Sequence, residues 1–543
     1  MNKKLAQPKS GTTSTLASIV TDAKLSQMMD RYDYPAETLQ IIKSENLLPA
    51  GVLGRLQATF PQHSGLLETR PFLFKGTDQY SGLSGFRQIV ALLAKNGIKL
   101  DHIPERELFI EVYRFKATRH ILNTINWNDY ERDPMFQLVF PQPGMMKKEI
   151  IDAYLAAKSD QERQKVAESY IKQTNPHDGK QLLNKPWLES DDGAIEILEG
   201  SQHKYPQTQL IFDNTTQNCF AFCTYCFRHA QVRGDHDMFI QNDIGQVHEY
   251  LRAHKEVTDI LITGGDAGYI PFERFRQYVM PILEDPQLFH IRAIRLGSRM
   301  LTFQPERILT RQYESMLGLF DTMRDAGVQM TWVAHFSTPR ELLNPTVIAA
   351  IRRLQNHGVV VRSQSPIMNH VSLFMNKDGK ADVQRSAQNW IDLALILANL
   401  SVRFHSMYCA RPTGEHHYFA APLAEIAKVT NLVYSSLASM HRPSRYITMT
   451  TSAGKLAILG TVQVNGETAF ALKFNEARDM AWMDPVFLAK YDELENRVDK
   501  LLPFDSKEYF FEKELKAIED KLSAAQKKYA AQTAAKSARK TAS

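Results

Sequence analysis

Cysteine is scarce in this chain, with only 4 among 543 residues. Four cysteines are too few for a disulfide framework in a chain of this length. Long apolar runs are missing as well, since the most apolar helical stretch is uninterrupted only over residues 393–398, whereas about 18 residues are needed to cross a bilayer. The N-terminal segment is basic but has no apolar core, which argues against a secretory signal. These absences predict a cytoplasmic protein without membrane spans.

Acidic residues are absent from the last part of the chain. Residues 521–543 contain six lysines and arginines and no aspartate or glutamate, which accounts for the net charge of +5 and leaves the rest close to neutral. We interpret this stretch as a solvated helical tail, with contact to RNA or a membrane as the alternative. The overall composition, 43% hydrophobic and 23% charged, is that of an ordinary globular protein.

The spacing of apolar residues changes near residue 205. Residues 1–200 predict a mainly helical region, with helices over residues 16–29, 36–44, 85–96 and 147–172 and no motif that names a chemistry. Short β-branched runs then alternate with amphipathic stretches, and six strands are predicted at 209–212, 259–263, 291–296, 329–335, 359–363 and 402–407. Repeated β-then-α units indicate an α/β fold with a parallel sheet. Six units are fewer than the eight of a closed barrel, so we expect a partial (β/α)6 barrel over residues 201–430.

The C-terminal part is predicted to be a small extension rather than more barrel. Strands are expected at 445–451, 456–464 and 469–474 within a region of residues 431–511, followed by the helical basic tail of residues 512–543.

Three of the four cysteines, Cys219, Cys223 and Cys226, follow the first predicted strand in a C-x3-C-x2-C spacing. Three thiolates can hold three irons of a [4Fe–4S] cluster and leave the fourth iron open to another ligand. Zinc, with His229 as a fourth ligand, is a second interpretation. Three buried thiols packed as small hydrophobic groups are a third.

These cysteines at the end of a strand, with Tyr225 before the last one and Gly264-Gly265-Asp266 after the second strand, resemble the radical S-adenosylmethionine (SAM) enzymes. The chain further resembles the lysine 2,3-aminomutase family over roughly residues 200–480. The segments that carry the resemblance contain Tyr205-Pro206, residues 261–267, residues 295–299, His335-Phe336, Gln364, Val402-Arg403, Glu415-His416, Ala421-Pro422 and Gly454-Lys455. The resemblance implies that the cysteines hold a [4Fe–4S] cluster and that Gly264, Gly265, Asp266, Ser298, His335 and Gln364 contact SAM or another cofactor.

The resemblance also implies that Lys455 binds pyridoxal 5′-phosphate (PLP) as a Schiff base, with Tyr205 nearby. Two features depart from the family. The glycine-rich loop before the lysine is reduced to residues 451–454, and Gln207 begins the stretch that replaces the arginine expected after the Tyr-Pro pair to hold the phosphate.

Arg228 falls where the family binds the α-carboxylate of the substrate. Arg411 falls where lysine-specific members carry an aspartate for the distal ammonium, and residues 441–454 contain no acidic residue to supply a second one. A guanidinium repels an ammonium and pairs with a carboxylate. We therefore expect an acidic or neutral substrate rather than lysine.

The resulting hypothesis is a cytoplasmic radical SAM, PLP-dependent enzyme that moves an α-amino group to the β-carbon of an amino acid. Its partners would be the small-molecule substrate and an electron donor such as flavodoxin or ferredoxin, and it could form a homo-oligomer. A relative that has lost PLP and a zinc- or cluster-stabilised binding protein are the alternatives.

Overall fold

The computed structural model describes residues 33–61, 72–174, 179–234, 238–412 and 414–542. Over these ranges, none of the helices combines the length and the apolar character that a bilayer span needs. The helix predicted over residues 16–29 lies outside the described residues.

The described N-terminal region consists of helices and two short antiparallel strand pairs. The helices are α1 (Ala36–Ser44), α2 (Ala50–Thr59), α3 (Gly82–Lys95), α4 (Ile103–Val112), α5 (Arg119–Thr124), α6 (Pro134–Val139), α7 (Lys148–Ala156), α8 (Asp160–Gln173) and α9 (Gly179–Leu182). The pairs are β1 (Gln79–Ser81) with β2 (Lys116–Thr118), and β3 (Trp187–Glu189) with β4 (Ile195–Ile197). The helix predicted over residues 147–172 is two helices, because Ser159 caps α8: its Oγ accepts a hydrogen bond from the Glu162 amide at 3.2 Å.

The centre of the described chain is one sheet in which the strands follow one another in chain order. Its strands are β5 (Ser201–Tyr205), β6 (Thr208–Phe212), β7 (Asp259–Thr263), β8 (Ala293–Ser298), β9 (Gln329–Ala334), β10 (Val360–Pro366), β11 (Arg403–Tyr408), β12 (Thr448–Thr450), β13 (Gly454–Val464), β14 (Glu467–Ala477) and β15 (Val486–Lys490). Neighbours from β6 to β12 pair in parallel, and the flanking pairs are antiparallel. The predicted α/β class is confirmed, and β6–β11 correspond to the six predicted strands.

Helices connect the parallel strands. They are α10 (His229–Arg233), α11 (Ile244–Ala253), α12 (Phe272–Glu284), α13 (Met300–Phe303), α14 (Glu314–Asp325), α15 (Pro339–Leu342), α16 (Pro345–Asn356), α17 (Val383–Asn399), α18 (His416–Phe419) and α19 (Leu423–Ser436). Phe275, Val279 and Ile282 of α12 are buried at helical spacing, so one face of this helix packs into the core. Because the crossovers return each strand in the same direction, the carboxyl ends of β6–β11 lie along one edge of the sheet.

The C-terminal strands β12–β15 continue the same sheet, so the small C-terminal extension predicted from the sequence is hydrogen-bonded to the parallel strands. The join is short, since β11 and β12 pair in parallel only through Tyr408 and Thr448. The chain then ends in α20 (Glu512–Ala542).

The sheet bends far enough for its two ends to meet. The ammonium of Lys204 in β5 donates to the carbonyl of Thr451, which lies between β12 and β13. Beside it, the Gln207 amide approaches Met480 Sδ at 3.2 Å. The residues just before β6 are therefore in contact with the C-terminal strands.

Candidate active site

The three clustered cysteines lie in the loop between β6 and α10, at the carboxyl end of the first parallel strand. All three side chains are partly buried. The loop is pinned at both ends: the Cys219 amide donates to Asn218 Oδ1 at 2.9 Å, and the Cys226 amide donates to the Cys223 carbonyl at 3.0 Å. The three thiols therefore lie on one short loop.

Gly264 and Gly265 form the surface on which this loop rests. A Cβ on Gly264, whose φ is +150°, would lie 2.3 Å from Thr216 Oγ1, and a Cβ on Gly265 would lie 2.6 Å from the Asn218 carbonyl oxygen. The Gly265 amide also donates to the Thr216 carbonyl at 2.8 Å. Both glycines are needed because the end of β7 touches the backbone that leads into Cys219.

The Asp266 carboxylate joins the ends of β7 and β8. It accepts hydrogen bonds from the backbone amides of Gly268 at 2.8 Å and Arg299 at 2.9 Å. Burial raises the pKa of Asp266 to about 6. Ser298 has a similar local contact, since its Oγ accepts from the Met300 amide at 2.9 Å. Both side chains thus support the strand ends beside the cysteine loop, and their predicted contact with SAM stays a prediction.

Arg299 connects the cysteine loop to α15, a role that was not predicted from the sequence. Its Nη1 donates to Tyr225 OH at 2.7 Å and lies 3.3 Å from Cys223 Sγ. Its Nη2 donates to Glu341 Oε2 at 3.0 Å, and both side chains of this ion pair are nearly inaccessible to solvent. A buried guanidinium therefore lies directly against one predicted cluster ligand.

The surroundings of the thiols disfavour their ionisation. Burial, together with the neighbouring Cys223, raises the pKa of Cys226 to about 12. Burial and the nearby Cys226 also raise the pKa of Cys219 well above its usual value. A metal cation would remove the mutual repulsion of the thiolates. The donor set fits an iron–sulfur cluster, in which cysteine thiolates are the usual ligands.

The tetrahedral zinc interpretation fits less well. In such a site the sulfurs would lie about 3.8 Å apart. Within the part of the chain that is described, the three cysteine sulfurs do not form a group within 4.8 Å of one another. His229, the suggested fourth ligand, is fully buried and packs edge-on against Tyr113 at 5.0 Å.

Lys455 lies near the start of β13, opposite Thr450 on β12 and Glu476 on β14. Its Nζ donates to Glu476 Oε2 at 2.5 Å, and Arg445 Nη1 donates to Glu476 Oε1 at 2.5 Å. Although burial disfavours ionisation, Lys455 and Arg445 lower the pKa of Glu476 to about 2. Lys455 Nζ lies 4.9 Å from the centroid of the Tyr205 ring. The structure thus brings the predicted Tyr205 and Lys455 together and adds Glu476, which the sequence analysis did not identify.

Arg228 and Arg411 meet at Phe227. Their guanidinium carbons lie 5.1 and 4.9 Å, respectively, from the centroid of this ring. Arg228 Nη1 donates to Thr263 Oγ1 and lies 3.3 Å from the Gly264 carbonyl oxygen. Burial and the charge of Arg411 lower the pKa of Arg228 to about 10. Two guanidinium groups that repel each other therefore lie together next to the cysteine loop.

His335 and Gln364 are at the carboxyl ends of the next strands. Burial, with the charges of Arg299 and Arg228, lowers the pKa of His335 to about 3, so the ring is neutral. The Gln364 side-chain oxygen accepts a hydrogen bond from Tyr408 OH at 3.4 Å. Both residues are partly buried, as a ligand contact requires.

The N-terminal region forms one wall beside the cysteines. A cavity of about 420 Å³ reaches Cys219 and is lined by residues from that region, including Lys116. The Lys116 ammonium donates to Asn218 Oδ1 at 3.1 Å, and the backbone carbonyl of Lys116 accepts from the Phe222 amide at 2.8 Å. The helical region whose role the sequence could not indicate thus packs directly on the cysteine loop.

Comparison with known proteins finds relatives of 24–28% identity. No family model matches the chain. An Aquifex aeolicus (strain VF5) protein assigned as an L-lysine 2,3-aminomutase is 26% identical over 306 residues, 54% of this chain and 75% of the relative. This likeness supports membership of the lysine 2,3-aminomutase-like radical SAM family. Members of this family are enzymes, and they include aminomutase-like isomerases.

Two further proteins are similar to parts of this chain. The glutamate 2,3-aminomutase of Clostridioides difficile (strain 630) is 28% identical over 170 residues, 31% of this chain and only 37% of the relative. A radical SAM methyltransferase structure from Sphaerobacter thermophilus covers 67% of this chain and 93% of its own at 13% identity, with a TM-score of 0.30.

Proposed function

We propose that this enzyme is a 2,3-aminomutase that moves the amino group of an acidic or neutral amino acid from Cα to Cβ. A [4Fe–4S] cluster with SAM would supply a 5′-deoxyadenosyl radical that takes and later returns a β-hydrogen, and PLP would delocalise the substrate radical. The strands β6–β11 would form the partial barrel around these reactants. The pair Arg228 and Arg411 on Phe227 is the observation that carries the substrate assignment.

The cysteine loop would hold the cluster through Cys219, Cys223 and Cys226. The Gly264-Gly265 surface fixes the loop from below, and Arg299 fixes Cys223 from the side. The partly buried thiols leave room for SAM at the carboxyl ends of the strands, where His335 and Gln364 are placed. A neutral His335 can accept or donate one hydrogen bond at each ring nitrogen without adding charge.

Lys455 would bind PLP. Glu476 holds its Nζ beside Tyr205, so the nitrogen is oriented before the cofactor arrives. Gly454 sets the position of the backbone, because a Cβ there would lie 2.3 Å from the Glu476 carbonyl oxygen. A small residue is needed before Lys455 because the backbone there lies against β14. In the family, a longer glycine-rich loop occupies this position.

Arg228 would bind the α-carboxylate and Arg411 the distal carboxylate. Each guanidinium offers planar, paired donors that match a carboxylate. Two anionic groups on one substrate would offset the repulsion between the two arginines, whereas an ammonium would increase it. The occurrence of a glutamate 2,3-aminomutase among the relatives is consistent with such a substrate.

The test is anaerobic reconstitution with iron and sulfide, followed by incubation with SAM, dithionite and single amino acids. We expect a brown protein that absorbs near 410 nm, as thiolate-bound clusters do, and SAM cleavage that depends on an acidic or neutral amino acid. SAM cleavage without any bound PLP would favour the relative that has lost PLP. A colourless zinc protein without SAM cleavage would favour the binding protein.

A further inference from the structure

Two cations from opposite ends of the sheet converge on the loop that precedes Lys455. Lys204 in β5 donates from Nζ to the Thr451 carbonyl. Arg478, just after β14, donates from Nε to the Ser452 carbonyl at 2.9 Å and from Nη2 to Asn184 Oδ1 at 2.5 Å. The ammonium groups of Lys204 and Lys455 lie 5.6 and 4.9 Å from the centroid of one ring, that of Tyr205.

Positive charge accumulates at this place. Burial, together with the charges of Arg478, Arg411 and Lys455, lowers the pKa of Lys204 well below its usual value. Among the acids of the described chain, Glu476 binds Lys455 and Arg445, and Glu519 of α20 accepts a hydrogen bond from Ser452 Oγ at 2.6 Å. Bringing several cations together in a partly buried space is costly unless an anion joins them.

Both side chains have donors beyond those used in holding the loop. An ammonium carries three N–H donors and a guanidinium five. The contacts described above use one donor of Lys204 and two of Arg478. Residues 207–209, which stand where the resemblance implies a phosphate-binding arginine, contain none, and the Gln207 amide approaches Met480 Sδ.

We propose that Lys204 and Arg478 form the binding site for the phosphate monoester of PLP, replacing the arginine that this chain lacks after Pro206. The inference rests on the proposed attachment of PLP at Lys455. It assigns two residues, one from each end of the sheet, to a dianionic group next to the reactive lysine. The hydrogen bonds to Thr451 and Ser452 keep both cations in place before the cofactor binds.

The experiment compares PLP with pyridoxal, which has the same aldehyde but no phosphate. The full-length chain and its Lys204→Gln and Arg478→Gln variants are titrated with each compound, and binding is followed by absorbance and by trapping with borohydride. The ratio of the two affinities in each variant is divided by the ratio in the wild type, which cancels the difference in aldehyde reactivity. Lys473→Gln is the matched control, since this lysine of β14 donates to the Asp484 carbonyl instead.

We expect each variant to lose about 10- to 100-fold in PLP affinity, with pyridoxal affinity nearly unchanged and with Lys204→Arg restoring much of the loss. In the wild type, inorganic phosphate should weaken the binding of PLP but not that of pyridoxal. Equal losses for both compounds, or no loss, would show that the two residues only hold the loop. If the wild type binds PLP no better than pyridoxal, the phosphate site is wrong while PLP attachment stands. If the wild type binds neither compound, the proposed PLP dependence itself is wrong, and this site with it.

Discussion

Replacing Arg411 by glutamine should change which substrates the enzyme accepts. The guanidinium carbons of Arg228 and Arg411 lie 5.1 and 4.9 Å from one ring centroid, so they are at most about 10 Å apart. At an effective dielectric of 20, two like charges at that separation repel by about 1.7 kcal/mol. The distal carboxylate of a substrate would offset this repulsion, because it would accept one or more charge-assisted hydrogen bonds of about 1.5–3 kcal/mol each from Arg411. Arg411→Gln should therefore lower kcat/KM for glutamate or aspartate about 10- to 160-fold.

The assay follows SAM-dependent formation of the β-amino acid from glutamate, aspartate, a neutral amino acid and lysine. The neutral substrate should lose little in the Arg411→Gln variant, because it makes no distal ion pair. Arg385→Gln is the matched control: this exposed arginine lies 4.2 Å from the centroid of Phe374, well away from the cysteine loop in sequence. If the wild type converts L-lysine faster than L-glutamate and L-aspartate, the reasoning about the pocket is refuted, and the family membership is unaffected.

The remaining predictions concern the cofactors and the core. Cys223→Ala should lose bound iron and SAM cleavage, as should alanine at either of the other two loop cysteines, whereas Cys409→Ala should keep both, because that thiol is buried against the core; cleavage that survives in Cys223→Ala would contradict the cluster assignment. Borohydride reduction with PLP should leave a pyridoxyl group on Lys455 when the peptides are mapped by mass spectrometry, and a bulky residue at Gly454 should prevent it; an adduct on another lysine would refute this site. Arg299→Met should lower the free energy of unfolding by roughly 3–5 kcal/mol in denaturant titrations, because it leaves the buried Glu341 carboxylate without its counter-charge. Arg299→Lys should lower the free energy of unfolding less. Equal stability of Arg299→Met and wild type would show that the buried pair contributes nothing to stability.

The alternation of apolar runs was sufficient to predict the parallel strands. The strands β6–β11 are short segments that contain apolar or β-branched residues, and the crossovers between them are long enough for a helix. The cysteine spacing and its place after β6 could likewise be read directly, because all three residues lie in one loop. Local patterns of this kind do not depend on the rest of the fold.

Residues that act across long separations could not be predicted. Arg299 and Glu341 are 42 positions apart, and Lys204 and Thr451 are 247 apart, so no spacing links them. The continuation of the sheet through β12–β15 was missed for a related reason. It depends on the pairing of Tyr408 with Thr448, and one residue pair leaves no pattern in the sequence.

The meeting of the two ends of the sheet has a consequence for how the protein folds. In the large sheet of the described chain each strand pairs with its neighbour in sequence, so the sheet can grow in the order of synthesis, and each connection is far shorter than the separation of Lys204 and Thr451. The contact of Lys204 with Thr451 is different, since it closes a loop of more than two hundred residues and carries a correspondingly larger entropic cost. We therefore expect this seam to form last and to open first. A ligand that binds across it would then raise the melting temperature more than one bound within either half, because binding to the closed form alone shifts the equilibrium toward it.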